Sequence, residues 1–482
     1  MKQALRRIGL RCRLRLIVCP GGWAGLLFAV VVVGNGRMSI LAAERPNIVY
    51  ILADDLGYGD LGCFGQQSIK TPHLDRMAAE GMRLTRHYAG STVCAPSRCV
   101  FLTGLHTGHA RIRGNHSGTL QTQDVTIAEV LQRVGYRTGC FGKWGVGNPP
   151  PLDDPHTNGF DEFFGYISMF HAHNFYPEFL IRNGKKFPLK NILGSDWSRR
   201  FDDGRGVAKT RVDYAPHLVA REALQFVRNN AHRPFFLYFA MNVPHANNEA
   251  GRVGDRNGME VPSYGEYAAR DWPDPEKGFA SMLRNLDRDV GRLLETLRQL
   301  ELDKRTLVIF TSDNGPHQEG GHQMEFFNSN AELRGMKRDL YEGGLRVPFI
   351  AWWPGTIAAG RTSDRISAFQ DMFPTFAELA KAKAPPTDGI SIVPTLLDQA
   401  REQPEHPHLY WEFPSRGGSQ AVLWKHWKGV RLMTASRPNG PIALYDLRSD
   451  PAERRDVSSA HADVVQRIAD IMETEHRRPA TP

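Results

Sequence analysis

Four short apolar runs, each bounded by Gly, Pro or Asp and each followed at once by residues that carry chemistry, constrain this sequence most. They span Asn47 to Ala53, Arg137 to Phe141, Pro234 to Met241 and Thr306 to Thr311, and their length and near-continuous apolar character predict buried strands. Helical patterns lie between them. In the clearest, from Glu276 to Leu300, Phe279, Met282, Leu283, Leu286, Val290, Leu293, Leu294 and Leu297 recur at three- and four-residue intervals with charges between. Val125 to Val134 and Pro216 to Val227 are shorter helices of the same kind. Strands alternating with helices predict an α/β fold, a large, mainly parallel (mixed) sheet sandwiched by helices.

From about Pro385 the texture changes. Short aromatic strands (Leu409 to Phe413, Ala421 to Leu432, Ile442 to Leu447) alternate with turn-rich segments and precede a terminal helix from His461. This predicts a smaller C-terminal α+β subdomain with an antiparallel sheet, over 386–482, after a catalytic domain over 44–385. A chain of 482 residues exceeds the size at which one core stops growing, which suits such a division. Residues 183–213 and 246–275 are polar, Gly-rich insertions, expected as surface loops that shape a cleft.

The first 43 residues read as a signal peptide: a basic region up to Arg15, an apolar stretch from Trp23 to Val33, and small residues Ala42 and Ala43 ahead of the first polar segment. The apolar run is short for a membrane span, so no stable membrane insertion is expected after cleavage. Lys2 and six arginines up to Arg37 supply seven positive charges there, and removing them from the formal +8 leaves about +1. The basic balance therefore belongs to the leader and does not imply a nucleic-acid partner. Cys12 and Cys19 leave with it, so Cys63, Cys94, Cys99 and Cys140 remain, too few for a disulfide framework. The expected location is periplasmic or secreted.

In open α/β sheets ligands bind beyond the carboxyl ends of the strands. The four predicted strands are followed, in order, by Asp54 and Asp55, by Lys143, by His245, and by Asp313 and Asn314. Each alone has an ordinary explanation: a helix cap, a solvated lysine, a turn tripeptide. Together they place carboxylates, an amide and cations on one sheet edge. Carboxylates crowded in a partly buried cleft repel, and a hard divalent cation is the usual remedy. Donors that are all oxygen favour Ca2+, with Mg2+ possible, over zinc.

The segment Cys94-Ala95-Pro96-Ser97-Arg98, followed by Leu102-Thr103-Gly104, resembles the signature at which sulfatases have a cysteine oxidised to formylglycine. The likeness runs over about residues 44–455. It takes in Arg45-Pro46-Asn47-Ile48-Val49, Asp54-Asp55-Leu56-Gly57-Tyr58-Gly59-Asp60, Thr71-Pro72-His73-Leu74-Asp75, Gly142-Lys143-Trp144, Pro244-His245, Ser312-Asp313-Asn314-Gly315, Tyr341-Glu342-Gly343-Gly344 and Leu444-Tyr445-Asp446-Leu447. The resemblance implies the alkaline phosphatase superfold, an arylsulfatase-like activity on a sulfate ester, and a formylglycine-generating enzyme as maturation partner. It further implies that the hydrated residue 94 is the nucleophile, held by Arg98 and Lys143. Asp54, Asp55, Cys94, Asp313 and Asn314 would surround the cation, and His245 and Lys337 would serve the leaving oxygen.

The chain departs from the pattern at Gly145, where many members have histidine after Gly-Lys-Trp. His171 and His173, in Phe170-His171-Ala172-His173-Asn174-Phe175-Tyr176-Pro177, are candidates to fill that gap and to bind substrate. Aromatic and histidine side chains beside the cleft suit a sulfated sugar. The competing readings are a phosphodiesterase or phosphonate hydrolase of the same superfold, and an inactive protein that binds sulfated glycans.

Overall fold

The structure is a computed structural model that describes residues 45–115, 118–146, 155–194, 203–254, 256–399 and 401–477. The leader expected over residues 1–43 lies outside the described residues. The strand Asn47–Ala53 is buried along its whole length, because it has a neighbour on each side and a helical layer on each face. Thr306–Ser312 pairs with it in parallel on one side and Phe235–Ala240 on the other. Arg137–Lys143 and Glu162–Tyr166 continue the parallel run beyond Phe235–Ala240. These are the four predicted strands, with a fifth at Glu162.

The sheet then becomes mixed. Arg346–Trp352 runs antiparallel between Thr306–Ser312 and Met82–Tyr88, and Phe179–Arg182 with Lys185–Pro188 forms the opposite antiparallel edge. In all the sheet has eleven strands. Two departures from expectation lie in the insertion over 183–213. Lys185–Pro188 joins the sheet, and Ile192–Leu193 pairs with Ala208–Thr210 as a short antiparallel ribbon. The polar side chains that suggested a loop belong to an edge strand and a small ribbon, both largely open to water.

Alternation along Asn47–Ala53 separates two cores. Val49, Ile51 and Ala53 pack with the helices Pro72–Glu80, Ala215–Asn229 and Asp274–Gln299. Ile48, Tyr50 and Leu52 pack with Cys94–Thr103, Ile127–Arg133 and Met372–Leu379. The stripe predicted from Glu276 to Leu300 is the buried face of Asp274–Gln299, and Phe279, Leu283, Leu286, Val290, Leu293 and Leu297 are all inaccessible. Among the described residues no helix is long and apolar enough to cross a membrane.

A second, four-stranded antiparallel sheet runs Leu409–Phe413, Ser419–Trp424, Trp427–Leu432, Ile442–Asp446. One continuous strand is expected from Ala421 to Leu432. The chain instead folds back at Lys425 and His426, with Trp424 opposite Trp427 and Lys425 at φ +58°. Neither turn residue is Gly, Asn or Asp, so the apolar pattern hides the turn. One face of this sheet covers Tyr88, Val93, Leu340 and Leu345. The other covers the terminal helix Ala462–Glu475 through Val464, Ile468, Ile471 and Met472.

The two sheets are joined by a buried charge cluster. Lys428 Nζ lies 2.9 Å from Glu342 Oε1 and 3.8 Å from Glu453 Oε1, all three inaccessible to solvent. Burial and the neighbouring Glu342 push the Glu453 carboxyl up to about 7 despite Lys428. Removing one partner of such a cluster leaves uncompensated charge in the interior. Lys428→Met is therefore expected to lower the unfolding free energy by about 3–5 kcal/mol, measured by urea denaturation; an unchanged midpoint would show that the cluster is neutral to stability.

Candidate active site

Register delivers the acidic groups to one place. Ala53 pairs with Ser312, so the residues that leave these strands emerge side by side. The Asp313 amide donates to the Ala53 carbonyl at 3.1 Å, and the Asp55 amide donates to Asp313 Oδ1 at 3.1 Å. Asp55 adopts φ +66°, a left-handed turn that aims two consecutive carboxylates inward. Asp54, Asp55, Asp313 and Asn314 are all fully buried.

Cys94 opens the helix Cys94–Thr103, all of whose residues are buried. Its N-terminus leaves few backbone amides for a ligand. Pro96 carries no N–H in the first turn, the Ala95 amide is taken by Asn115 Oδ1 at 3.1 Å, and the Cys94 end faces the acidic cluster. Cys94 Sγ lies 3.3 Å from Asp54 Oδ1. Burial and the Asp54 charge hold the thiol well above the usual cysteine value, so it stays protonated at neutral pH and is a poor nucleophile as it stands. Cys63, Cys94, Cys99 and Cys140 are all free thiols.

Three cations balance the carboxylates. Arg98, one helical turn after Cys94, reaches Asp313 Oδ2 with Nε at 3.1 Å and Nη2 at 2.8 Å, and donates from Nη1 to the Lys143 carbonyl at 2.7 Å. Lys143, the last residue of its strand, places Nζ 2.7 Å from Asp54 Oδ2. Lys337 Nζ lies 2.7 Å from Asp55 Oδ2, 3.1 Å from His245 Nε2 and 3.0 Å from Glu319 Oε2. Burial alone would raise all three carboxylates. The charges of Lys143 and Arg98 instead hold Asp54 well below the usual range, and that of Lys337 lowers Asp55. Asp313 is pushed up to about 7 by burial and by Asp54 in spite of Arg98. Protein cations thus leave one carboxylate of the three unfavourable to ionise.

That residual imbalance fits a divalent cation. Asn314 Oδ1 is buried and has no hydrogen-bond partner, while its Nδ2 donates to Asp55 Oδ1 at 2.8 Å. Asp54, Asp55, Cys94 and His245 each offer one donor atom within 4.8 Å of the others. An orphaned amide oxygen beside three carboxylates is a donor set for a hard ion.

His245 donates from Nδ1 to the Ala246 carbonyl at 2.7 Å, which turns the Nε2 lone pair toward Lys337. Burial and the Lys337 charge keep the imidazole well below its ordinary value, so the proton of this pair resides on Lys337. The ring is stacked between two others: His173 at 4.8 Å and 14°, and His317 at 6.1 Å and 26°. The two candidate histidines part here. His173 joins the site and its Nδ1 meets Glu249 at 3.2 Å. His171 turns into the wall, where its Nε2 meets the Phe179 carbonyl at 2.9 Å and its ring packs edge-on against Tyr166.

Sequence reasoning did not single out Glu319, His317, Glu249 or Arg338. The signal for the first two is present in Pro316-His317-Gln318-Glu319-Gly320-Gly321, a charged, Gly-rich loop directly after a site strand. Glu249 and Arg338 carry no such mark and are visible only from contacts.

The family model described as Sulfatase matches residues 46–382, and one described as N-sulphoglucosamine sulphohydrolase, C-terminal, matches residues 335–478. The N-acetylgalactosamine-6-sulfatase of Canis lupus familiaris is 31% identical over 517 residues, covering 97% of this chain and 92% of its own. Arylsulfatase A of Homo sapiens is 33% identical over 472 residues, covering 90% and 88%. The crystal structure of Ps i-CgsB in complex with k-i-k-neocarrahexaose superposes with a TM-score of 0.73 at 26% identity, covering 91% of this chain and 94% of that one.

Gly145 closes the account of the site. It sits at φ +72°, and a Cβ there would stand 3.1 Å from Arg98 Cδ and 3.4 Å from Lys143 Cγ. A side chain would both strain the backbone and press on two of the charge-balancing residues. Gly145→Ala is expected to lower stability by about 1–3 kcal/mol and to reduce turnover, read by urea denaturation and initial rates; full activity would show that Arg98 has room to give.

Proposed function

This chain belongs to the sulfatase family and is a sulfuric ester hydrolase, and from that footing we propose that it removes sulfate from a sulfated carbohydrate, using residue 94 and a bound Ca2+. The observation that carries the mechanistic part is the buried Cys94, unreactive as a thiol, set at a helix N-terminus against three carboxylates. The carbohydrate part draws on the named relatives, one acting on N-acetylgalactosamine 6-sulfate by its name, and on the oligosaccharide held by Ps i-CgsB.

In this reading Cys94 is converted to formylglycine by a maturation enzyme, and the hydrate offers one hydroxyl to take up the sulfuryl group and a second to help expel it. Asp54, Asp55, Asp313, Asn314 and residue 94 hold the cation, which would ease ionisation of that hydroxyl and polarise a sulfate oxygen. Mg2+ is the alternative ion. The protein's own groups then have defined tasks. Arg98 fixes Asp313 and the end of the Lys143 strand, and with Lys143 orients residue 94. The Lys337–His245 pair supplies the proton to the bridging oxygen as the S–O bond breaks. His173, fixed by Glu249 and stacked on His245, takes the place of the histidine absent at Gly145. His171 braces the same loop from behind.

The domain division is read as 44–385 for catalysis and 386–482 for the second sheet and terminal helix, after a signal peptide that directs export to the periplasm or medium. Phosphorus-ester hydrolysis has less support, because the family match is to sulfatases. Parallel assays with sulfate and phosphate aryl esters separate the two.

The test is direct. Protein from its native host is expected to show an aldehyde at residue 94 by peptide mass spectrometry and to hydrolyse 4-nitrophenyl sulfate, with Cys94→Ala inactive. His245→Ala and Lys337→Ala are expected to lose on the order of 100 to 1,000-fold in turnover, and His173→Ala to accumulate sulfated enzyme. A plain thiol at residue 94 would sink the catalytic reading and favour a glycan binder. Calcium at 100 times its Kd is expected to raise the unfolding free energy by about 2.7 kcal/mol, a gain lost in Asp54→Asn; equal stability with calcium or chelator would remove the ion from the account.

A further inference from the structure

We propose that Arg338 reads a second anionic group on the substrate, a carboxylate or a further sulfate standing beside the ester that is cleaved. The proposal rests on the sulfated-sugar reading above. Glu319 is the starting point. Its Oε2 accepts from Lys337 at 3.0 Å and lies 4.0 Å from His245 Nε2, and its Oε1 accepts from Arg338 Nη2. One carboxylate therefore separates the Arg338 guanidinium from the Lys337–His245 pair.

The two cations are otherwise unlike. Lys337 is 2% exposed and Arg338 is 30% exposed, so the first points into the floor of the site and the second stands at its rim. Among the described residues Glu319 is the single hydrogen-bond partner of the Arg338 guanidinium, although the fork carries five donors. Nε, Nη1 and the second Nη2 hydrogen remain for a ligand.

The backbone gives a second and independent indication. Arg338 adopts φ +82°, a conformation that costs a residue with a Cβ on the order of 1–2 kcal/mol, and its amide is tied to the Thr92 carbonyl at 2.9 Å, next to Val93 and Cys94. Three residues earlier the same conformation is met by Gly335 at φ +83°. Strain kept beside a catalytic lysine, with a long charged side chain on it, points to a use for that side chain.

Charge supplies the ligand class. A carboxylate at the mouth of a cleft meant for sulfate esters repels its substrate unless it is neutralised, and Lys337 is already shared with Asp55. Arg338 neutralises the outer oxygen of Glu319. A planar guanidinium with spare donors pairs best with a planar carboxylate or with two sulfate oxygens. The sulfate being cleaved belongs next to Cys94 in the buried floor, so the anion at Arg338 is a different one.

The experiment is calorimetric binding to the full chain carrying Cys94→Ala, in calcium, so that nothing is cleaved. The probes are the unsaturated chondroitin 6-sulfate disaccharide, which carries one sulfate and one carboxylate, and the same disaccharide with the carboxylate masked as its methyl ester. The free acid is expected to bind roughly tenfold or more tightly than the ester. Arg338→Ala is expected to bring the ratio close to one, and Arg338→Lys to restore part of it. A ratio already near one with Arg338 present, or one that survives Arg338→Ala, overturns the proposal. Both affinities falling together in Arg338→Ala, with the ratio unchanged, overturns it as well and assigns Arg338 to positioning Glu319. Binding with the expected ratio, in a protein whose Cys94 form cleaves no sulfate ester, would leave Arg338 in place and sink the hydrolase reading alone.

Discussion

Three buried carboxylates at the ends of two adjacent parallel strands are the constraint on which the rest of this molecule depends. Asp54, Asp55 and Asp313 are brought together by the pairing of Ala53 with Ser312, and none can reach water. Ionised carboxylates in such a place are tolerated only with compensating charge. The chain spends Arg98, Lys143 and Lys337 on them, each from a different element. Even so Asp313 is left with its carboxyl near 7. Three cations match three carboxylates in number, yet burial keeps Asp313 costly to ionise, and the orphaned Asn314 oxygen beside it offers a further donor for a cation.

The same constraint explains why residue 94 needs chemical conversion. A buried thiolate beside Asp54 would add a negative charge with no cation of its own, and the Cys94 thiol is held protonated accordingly. A neutral hydrate carries no such penalty until its hydroxyl is ionised next to a cation. Electrostatics that disable a cysteine nucleophile are the electrostatics that suit a diol.

Much of this was legible in the sequence because the strands are short, buried and followed at once by their chemistry. Asn47–Ala53 and Leu409–Phe413 fall where the apolar runs place them, Lys143 ends its strand, and Asp54, His245 and Asp313 come after theirs as polar residues beyond the apolar runs. What escaped had no local mark. The turn at Lys425 and His426 contains neither glycine nor asparagine. His171 and His173 are two residues apart and alike in composition, yet the short 3-10 turn that carries them sends one ring to the Phe179 carbonyl and the other onto His245. Glu319 acts by bridging Lys337 and Arg338 across a loop, a relation that no periodicity encodes.

The second sheet has its physical role in the same site, although it contributes no residue to the acidic cluster. Lys337 and Arg338 lie on an irregular segment between Asn328 and Tyr341 that has no regular strand or helix of its own beyond a turn, and such a segment is positioned only by what it packs against. Leu340 and Leu345 are buried with Trp411, Phe413 and Tyr445 of the second sheet. Arg334 Nη1 donates to Tyr445 Oη and to the Glu453 carbonyl, and the Glu342 amide donates to Glu453 Oε2 at 2.7 Å. Trp411 Nε1 in turn donates to the Ala89 carbonyl, five residues before Cys94. The small sheet therefore grips both sides of the cleft, the nucleophile helix and the lysine segment, and holds them at a fixed separation. The parallel sheet delivers the acids and Lys143 by register, and the helix that Cys94 opens delivers Arg98. The third cation arrives on a loop, and a packed antiparallel sheet is what makes that loop as well defined as a strand end.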